Sequence, residues 1–252
     1  MNVGVYCFKI RDLFDALKCV EKNKKKQEFY LTDVIEIITN NGKEIKTVLS
    51  DGHKDYLGIN NRKDLSIAEQ VVRERVLEQF MFEGVTIIDP NTTYIDANVK
   101  IGQDTVLKPF TYIEKDVIIG KNCQIGPFAR LRSGTKIEDN VEIGNFTEVS
   151  RTQIGKETRM KHFSYLGDAI VGSKANIGAG SVTANYDGNN KNVTNIGNNS
   201  FIGCDAVLVA PVKVGDDAVV GAGSVVTRNK NVPKNSVVYG IPAKIVKNKK
   251  SS

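Results

Sequence analysis

The chain has no tryptophan, only two histidines (His53 and His162) and only four cysteines in 252 residues. With two imidazoles a metal site built on three histidines is excluded by arithmetic, and a metal-dependent hydratase with it. Cys7, Cys19, Cys123 and Cys204 form no C-x-x-C pair and no metal-ligand spacing, so free thiols in a reducing compartment are expected rather than a disulfide scaffold. No apolar run approaches the roughly 18 residues that span a bilayer, and "MNVGVYCFKIRDLFD" meets charge too early for a secretory segment. The expectation is a cytoplasmic protein without membrane insertion. The net charge of +6 is concentrated in "KNKKK" (Lys22 to Lys26) and "AKIVKNKK" (Ala243 to Lys250). No aromatic-interleaved basic stripe accompanies it, so no nucleic-acid partner is expected, and the lysines read as solvated at a helix end and in a frayed tail. With 40% hydrophobic residues the chain can bury a sizeable core, as one large domain or two modest ones.

What the sequence does hold is a period of six. Ile95, Ile101, Leu107, Ile113, Ile119, Ile125, Leu131, Ile137, Ile143 and Val149 recur at six-residue spacing, the first nine each followed four residues later by a small or β-branched residue such as Thr105, Cys123, Ala129 or Thr147. Two five-residue units then lead through Ile154, Met160, Leu166, Val171, Ile177 and Thr183, and the register resumes from Ile196 to Val238. Between Thr183 and Ile196 the stretch "ANYDGNNKNVTN" is seven residues too long for one hexad, so a loop must bulge there. Such a period predicts a parallel β-solenoid with three six-residue faces per coil, coils ~4.8 Å apart and the aliphatic residues inside. Residues 1–66 read as a small α/β segment, with helical spacing in "IRDLFDALKCV" and "LTDVIEIITNNGK"; residues 67–84 read as a linker helix ending at Gly84, and residues 85–248 as the β-helix.

Counting along the repeat puts His162 third in its hexad, pointing outward. The same count aligns Asn145, His162, Ala179, Cys204, Ala222 and Gly240 in one column, small at every position above the histidine. This makes a shallow groove about four ~4.8 Å steps long, suited to an extended acyl-carrier arm. Acyl transfer from a thioester requires a neutral amine, and a histidine titrating near neutral pH is a suitable general base. Backbone N–H groups near Ala179 are candidate donors to the oxyanion. Arg132 is second in its hexad with Ser150 one coil above it, so both would face one ligand.

The stretches "GPFARLRSG", "IGNFTEV", "KHFSYLGDA", "NIGAGSVTANYDGNNK" and "FIGCDAVLVAPV" resemble the acetyltransferase half of bacterial bifunctional N-acetylglucosamine-1-phosphate uridyltransferase/glucosamine-1-phosphate acetyltransferases. "NVGVYCF", "EFYLTDVIEII" and "LGINNR" resemble the end of that family's uridyltransferase domain; its glycine-rich phosphate loop and metal-binding aspartate are absent, so no uridyltransferase activity is expected from this chain alone, and Mg²⁺ is implied only for a complete uridyltransferase site. The resemblance implies a left-handed parallel β-helix, a homotrimer, and acetyl-CoA-dependent N-acetylation of glucosamine 1-phosphate in UDP-N-acetylglucosamine and cell-envelope biosynthesis. It implies His162 as catalytic base, Arg132, Tyr165 and Asn176 as substrate contacts, and Ala179, Asn185, Tyr186, Lys191, Cys204 and Ala222 at the coenzyme. Ser150 stands where the family has a lysine, with Arg151 next to it to reach the same phosphate. Gly240 replaces an arginine, with Lys244 or Lys247 to compensate. An acetyltransferase with another acceptor, and a non-enzymatic solenoid scaffold, remain open alternatives.

Overall fold

A computed structural model describes residues 4–49, 52 and 56–248; His53 and the last lysines of the tail, Lys249 and Lys250, lie outside the described residues. The chain divides into two compact units, Met1–Ala68 and Glu69–Ser252. In the first, helices α1 (Ile10–Leu17) and α2 (Asp33–Asn40) bury Ala16, Val34 and Ile38, with Phe8, Leu13, Val20 and Ile37 packed on them. Among the described residues this unit has no strand, since a β-run gains its ladder only from a partner strand. Lys22–Lys26 lie beyond α1 instead of at its end: Asn23 Oδ1 accepts from the amides of Lys25 (3.0 Å) and Lys26 (3.1 Å) and folds them into a turn.

Helix α3 runs from Arg62 to Phe82, starting five residues before the expected linker. Asn61 sets that start, its Oδ1 accepting from the amides of Lys63 and Asp64, both at 2.9 Å, while Asp64 Oδ2 accepts from the Asn60 amide at 3.1 Å. Its last turns place Leu77 and Phe80 in the same buried cluster as the first solenoid coil, and Gly84, at φ +92°, ends it.

The second unit is the solenoid that the six-residue period predicts. Its strands form three sheets whose neighbours are parallel, except at one end. The ladder pairs Gln124 with Glu142 and Ile125 with Ile143, one 18-residue coil apart. The five-residue units shorten the step, pairing Ile143 with Met160, and the long loop lengthens it, pairing Ile177 with Ile202. The aliphatic series fills the interior: Leu107, Ile113, Ile125, Leu131, Ile143, Met160, Leu166 and Leu208 are all buried, each contributing about 1.5–3 kcal/mol. The residue four positions on does more than fill a corner. Thr105 Oγ1 donates to Gly120 O (2.9 Å) and accepts from the Cys123 amide (3.0 Å), tying adjacent coils through a buried hydroxyl.

Corners turn through left-handed residues, many of them Asn or Asp. Three are phenylalanines, Phe110, Phe128 and Phe146, at φ 53–58°, a conformation costing about 1–2 kcal/mol for a bulky residue. Their rings stack at 4.7 and 4.8 Å, a gain of ~0.5–1.5 kcal/mol per pair that offsets the strain. The tail is not frayed as far as it is described. Lys244–Asn248 pairs antiparallel with Ser236–Tyr239, giving the last strand of that face a partner.

A Cβ at Gly144 would collide with the carbonyl oxygen of Lys161 on the next coil. Gly144→Ala should therefore cost about 1–3 kcal/mol or more and lower the melting temperature, whereas Gly58→Ala, whose Cβ would meet only Asn60 Nδ2 at 3.7 Å, should leave it nearly unchanged; differential scanning calorimetry of both variants checks this.

Candidate active site

The ladders of one face pair Ile143 with Met160, Ile177 with Ile202, Ile202 with Val220 and Val220 with Val238. Two residues further along each coil stand Asn145, His162, Ala179, Cys204, Ala222 and Gly240, so these six share one column at the edge of that face. His162, Cys204, Ala222 and Gly240 are exposed and Ala179 is half-buried. His162 makes no side-chain hydrogen bond or ion pair among the described residues, and the Ala179 amide donates to no backbone carbonyl there. Neither group therefore has an internal hydrogen-bond partner among the described residues.

On the adjacent face, Arg132 pairs in the ladder with Ser150, and Ser150 with Gly167. Arg132 Nη1 donates to Glu148 Oε1 at 3.0 Å, and its Nε, buried and without a hydrogen-bond acceptor, stands 3.7 Å from Glu114 Oε1. Burial raises the Glu114 carboxyl, but hydrogen bonds from Arg130 and the Ser133 amide outweigh it and leave it below the usual carboxylate range. Arg132 thus sits between two carboxylates with part of its fork open to solvent.

Ser150 is fully buried, and its Oγ accepts from Arg151 Nη1 at 2.8 Å. The side chain therefore does not project beside Arg132. Arg151 is also not free to reach a phosphate: its Nε and Nη2 grip the two oxygens of Asp168 at 2.6 and 2.8 Å. Asp168 accepts from Asn185 Nδ2 as well. Its pKa lies below the ordinary range because of Arg151 first, against the opposing effect of burial, with Asn185 and the positive charge of Lys191 assisting. The phenol of Tyr165 and the amide of Asn185 crowd against Gly167, where a Cβ would collide with both. Arg132, Ser150 and Tyr165 lie on strands of one sheet, and Asn185 stands at the corner that follows its next strand. Asn176 belongs to the other sheet, pairing with Arg159 and Phe201.

Tyr186 and Lys191 are exposed and bridge the base of the long loop, antiparallel to each other. Lys244 and Lys247 lie in the terminal antiparallel strand, opposite Tyr239 and Val237. The four cysteines are unpaired, and Cys123 is buried, its thiol pKa pushed up by burial. Among the described residues no group of three His, Cys, Asp or Glu could hold a metal ion, and no helix is long and apolar enough to cross a membrane. Sequence reading misses Asp168 and the two glutamates on Arg132, because charge partners on neighbouring coils emerge only when register is assigned. The 18-residue spacing of Glu114 and Arg132, and the 17-residue spacing of Arg151 and Asp168, are the available signals.

Comparison with known proteins agrees with this architecture. The family described as "Bacterial transferase hexapeptide (six repeats)" matches residues 98–133, 116–151 and 194–228. The bifunctional protein GlmU of Acetivibrio thermocellus is 41% identical over 280 aligned residues, which take in 98% of this chain and 60% of that protein. Over nearly all of its length this chain is similar to GlmU proteins. GlmU of a Geobacillus species is 43% identical over 270 residues, 94% of this chain and 58% of that protein, so the chain spans about three-fifths of the length of these GlmU relatives. Among solved structures, the UDP-N-acetylglucosamine acyltransferase of Francisella novicida aligns with 64% of this chain and 70% of its own at 14% identity, with a TM-score of 0.46.

Because the folded-state pKa of Asp168 is depressed, the stability it contributes is present above the unfolded value near ~3.9 and is lost as pH falls below that value towards the depressed one. Thermal denaturation of the native chain and of Asp168→Asn should show a constant gap from about pH 5 to 8 that closes below about pH 4.

Proposed function

We propose that the chain transfers the acetyl group of acetyl-CoA to the amine of glucosamine 1-phosphate, producing N-acetylglucosamine 1-phosphate for UDP-N-acetylglucosamine synthesis. One observation carries this reading: an exposed, unpartnered His162 stands at the foot of an in-register column of small residues, in a chain about 40% identical to GlmU. The pantetheine arm would lie along Ala179, Cys204 and Ala222. The amine nitrogen attacks the thioester carbon, His162 takes the amine proton, and the Ala179 amide donates to the oxyanion. The C–S bond then breaks and His162 returns the proton to the departing thiolate. Arg132 binds the phosphate and Tyr165 packs beside the sugar. That Asn176 lies on a different sheet from Arg132 and Tyr165 supports a homotrimer whose active sites are completed across subunit boundaries.

A second reading, an acetyltransferase for an acceptor without a phosphate, is favoured by the burial of Ser150 and the engagement of Arg151 with Asp168, which withdraw both from a ligand beside Arg132. Acetyl-CoA-dependent thiol release with glucosamine 1-phosphate and with glucosamine separates the two. The first reading expects the phosphate to raise kcat/KM by at least about tenfold, a charge-assisted hydrogen bond contributing roughly 1.5–3 kcal/mol, and Arg132→Ala to abolish that preference. Equal use of both acceptors would establish the second.

His162→Ala should lower turnover by ~10² or more with an unchanged melting temperature, since the side chain is exposed and acts as a base. Ala222→Phe should raise the KM for acetyl-CoA more than that for the acceptor, because it fills the groove; steady-state kinetics with each substrate varied in turn measures both effects.

A further inference from the structure

The loop that interrupts the repeat is held from two sides. One corner column, read from the ladders, runs Arg151, Asp168, Asn185, Ala210 and Arg228. From below, Asp168 fixes the buried Asn185 at the start of the loop, and the Asn192 amide closes its end by donating to Asn185 O at 2.7 Å. Within the loop, Asp187 Oδ1 accepts from the amides of Asn189 and Asn190 at 3.0 and 2.7 Å, and its Oδ2 from Asn192 Nδ2 at 2.9 Å. From above, Arg228 reaches down past the buried Ala210, two coils beyond Asn185, and sets Nη2 3.0 Å from Asp187 Oδ2 and 3.4 Å from Asn192 Oδ1. The Asp187 carboxyl lies well below its ordinary pKa, chiefly through the Asn190 amide, with Asn192, Asn189 and Arg228 adding to it, as expected of a carboxylate that organises a turn.

We propose that Arg228 is a positioning residue for the acyl donor: by clamping Asp187 it holds the 185–192 loop, and with it Tyr186 and Lys191, in the arrangement that receives the coenzyme. Arg228 touches no reacting atom in this account; it lowers the ordering cost of binding. The inference rests on the acetyl-CoA reading above for its ligand and on geometry alone for the clamp.

The test uses Arg228→Ala, Arg228→Lys and Asp187→Asn in the full chain. Amide hydrogen exchange of Gly188 to Lys191 without ligand should become about tenfold faster or more in Arg228→Ala and Asp187→Asn. The KM for acetyl-CoA should rise about three- to tenfold, while kcat and the acceptor KM stay within about twofold, and Arg228→Lys should restore most of both effects. Unchanged exchange overturns the clamp whatever the protein acetylates. Faster exchange with an unchanged acetyl-CoA KM, or with equal changes for both substrates, overturns the donor role. Failure of the native chain itself to bind or use acetyl-CoA overturns the proposed function and the donor role together, and exchange then decides the clamp by itself.

Discussion

Everything in the solenoid depends on the parallel ladder between coils. Each strand is only two to four residues long over most of its length, too short to be stable alone, and gains its hydrogen bonds from the coils above and below. The ladder stays in register only if every coil buries its aliphatic residues at the same depth, because a one-residue slip would turn them outward. The six-residue period is therefore the condition for stacking, and the two short units and the long loop are tolerated because each leaves the interior series unbroken.

The same constraint builds the site. Stacking converts residues about 17, 18 or 25 positions apart into neighbours ~4.8 Å apart, so one position per coil becomes a continuous line. Along one line that gives a groove of small side chains with a histidine at its foot; along another it stacks Glu114 on Arg132, which Glu148 joins from the neighbouring line, and along a third it gives the chain from Arg151 through Asp168 to Asn185. Charges in these ladders neutralise one another before any ligand arrives. The cationic residues of this face, Arg132 among them, consequently count for less than their number suggests.

The interior and the small-residue column are legible in the sequence, since both follow from a count by six with allowance for two short units. Helix α3 is legible too, though its start is not: Asn61 caps it with a side-chain oxygen, a signal that competes with several equally plausible capping residues upstream. The turn at Lys22 to Lys26 escapes a reading by composition, because a run of lysines says nothing of which neighbouring side chain accepts the amide bonds. In the tail, the strand Lys244–Asn248 has no hexad register of its own, and its pairing depends on the open edge left by the last coil.

By itself the sequence determined the period, hence the solenoid, the buried series and the column containing His162, because a repeat that must bury one residue in six admits a single alignment of faces. Tertiary structure alone decided which charges pair. Ser150 and Arg151 look from the sequence like groups available to a phosphate, yet one is buried and the other is gripped through Nε and Nη2 by Asp168 from the next coil. Pairing of that kind depends on where side chains end rather than on where their Cα atoms stack, and long polar side chains such as arginine can reach any of several neighbours until packing selects one.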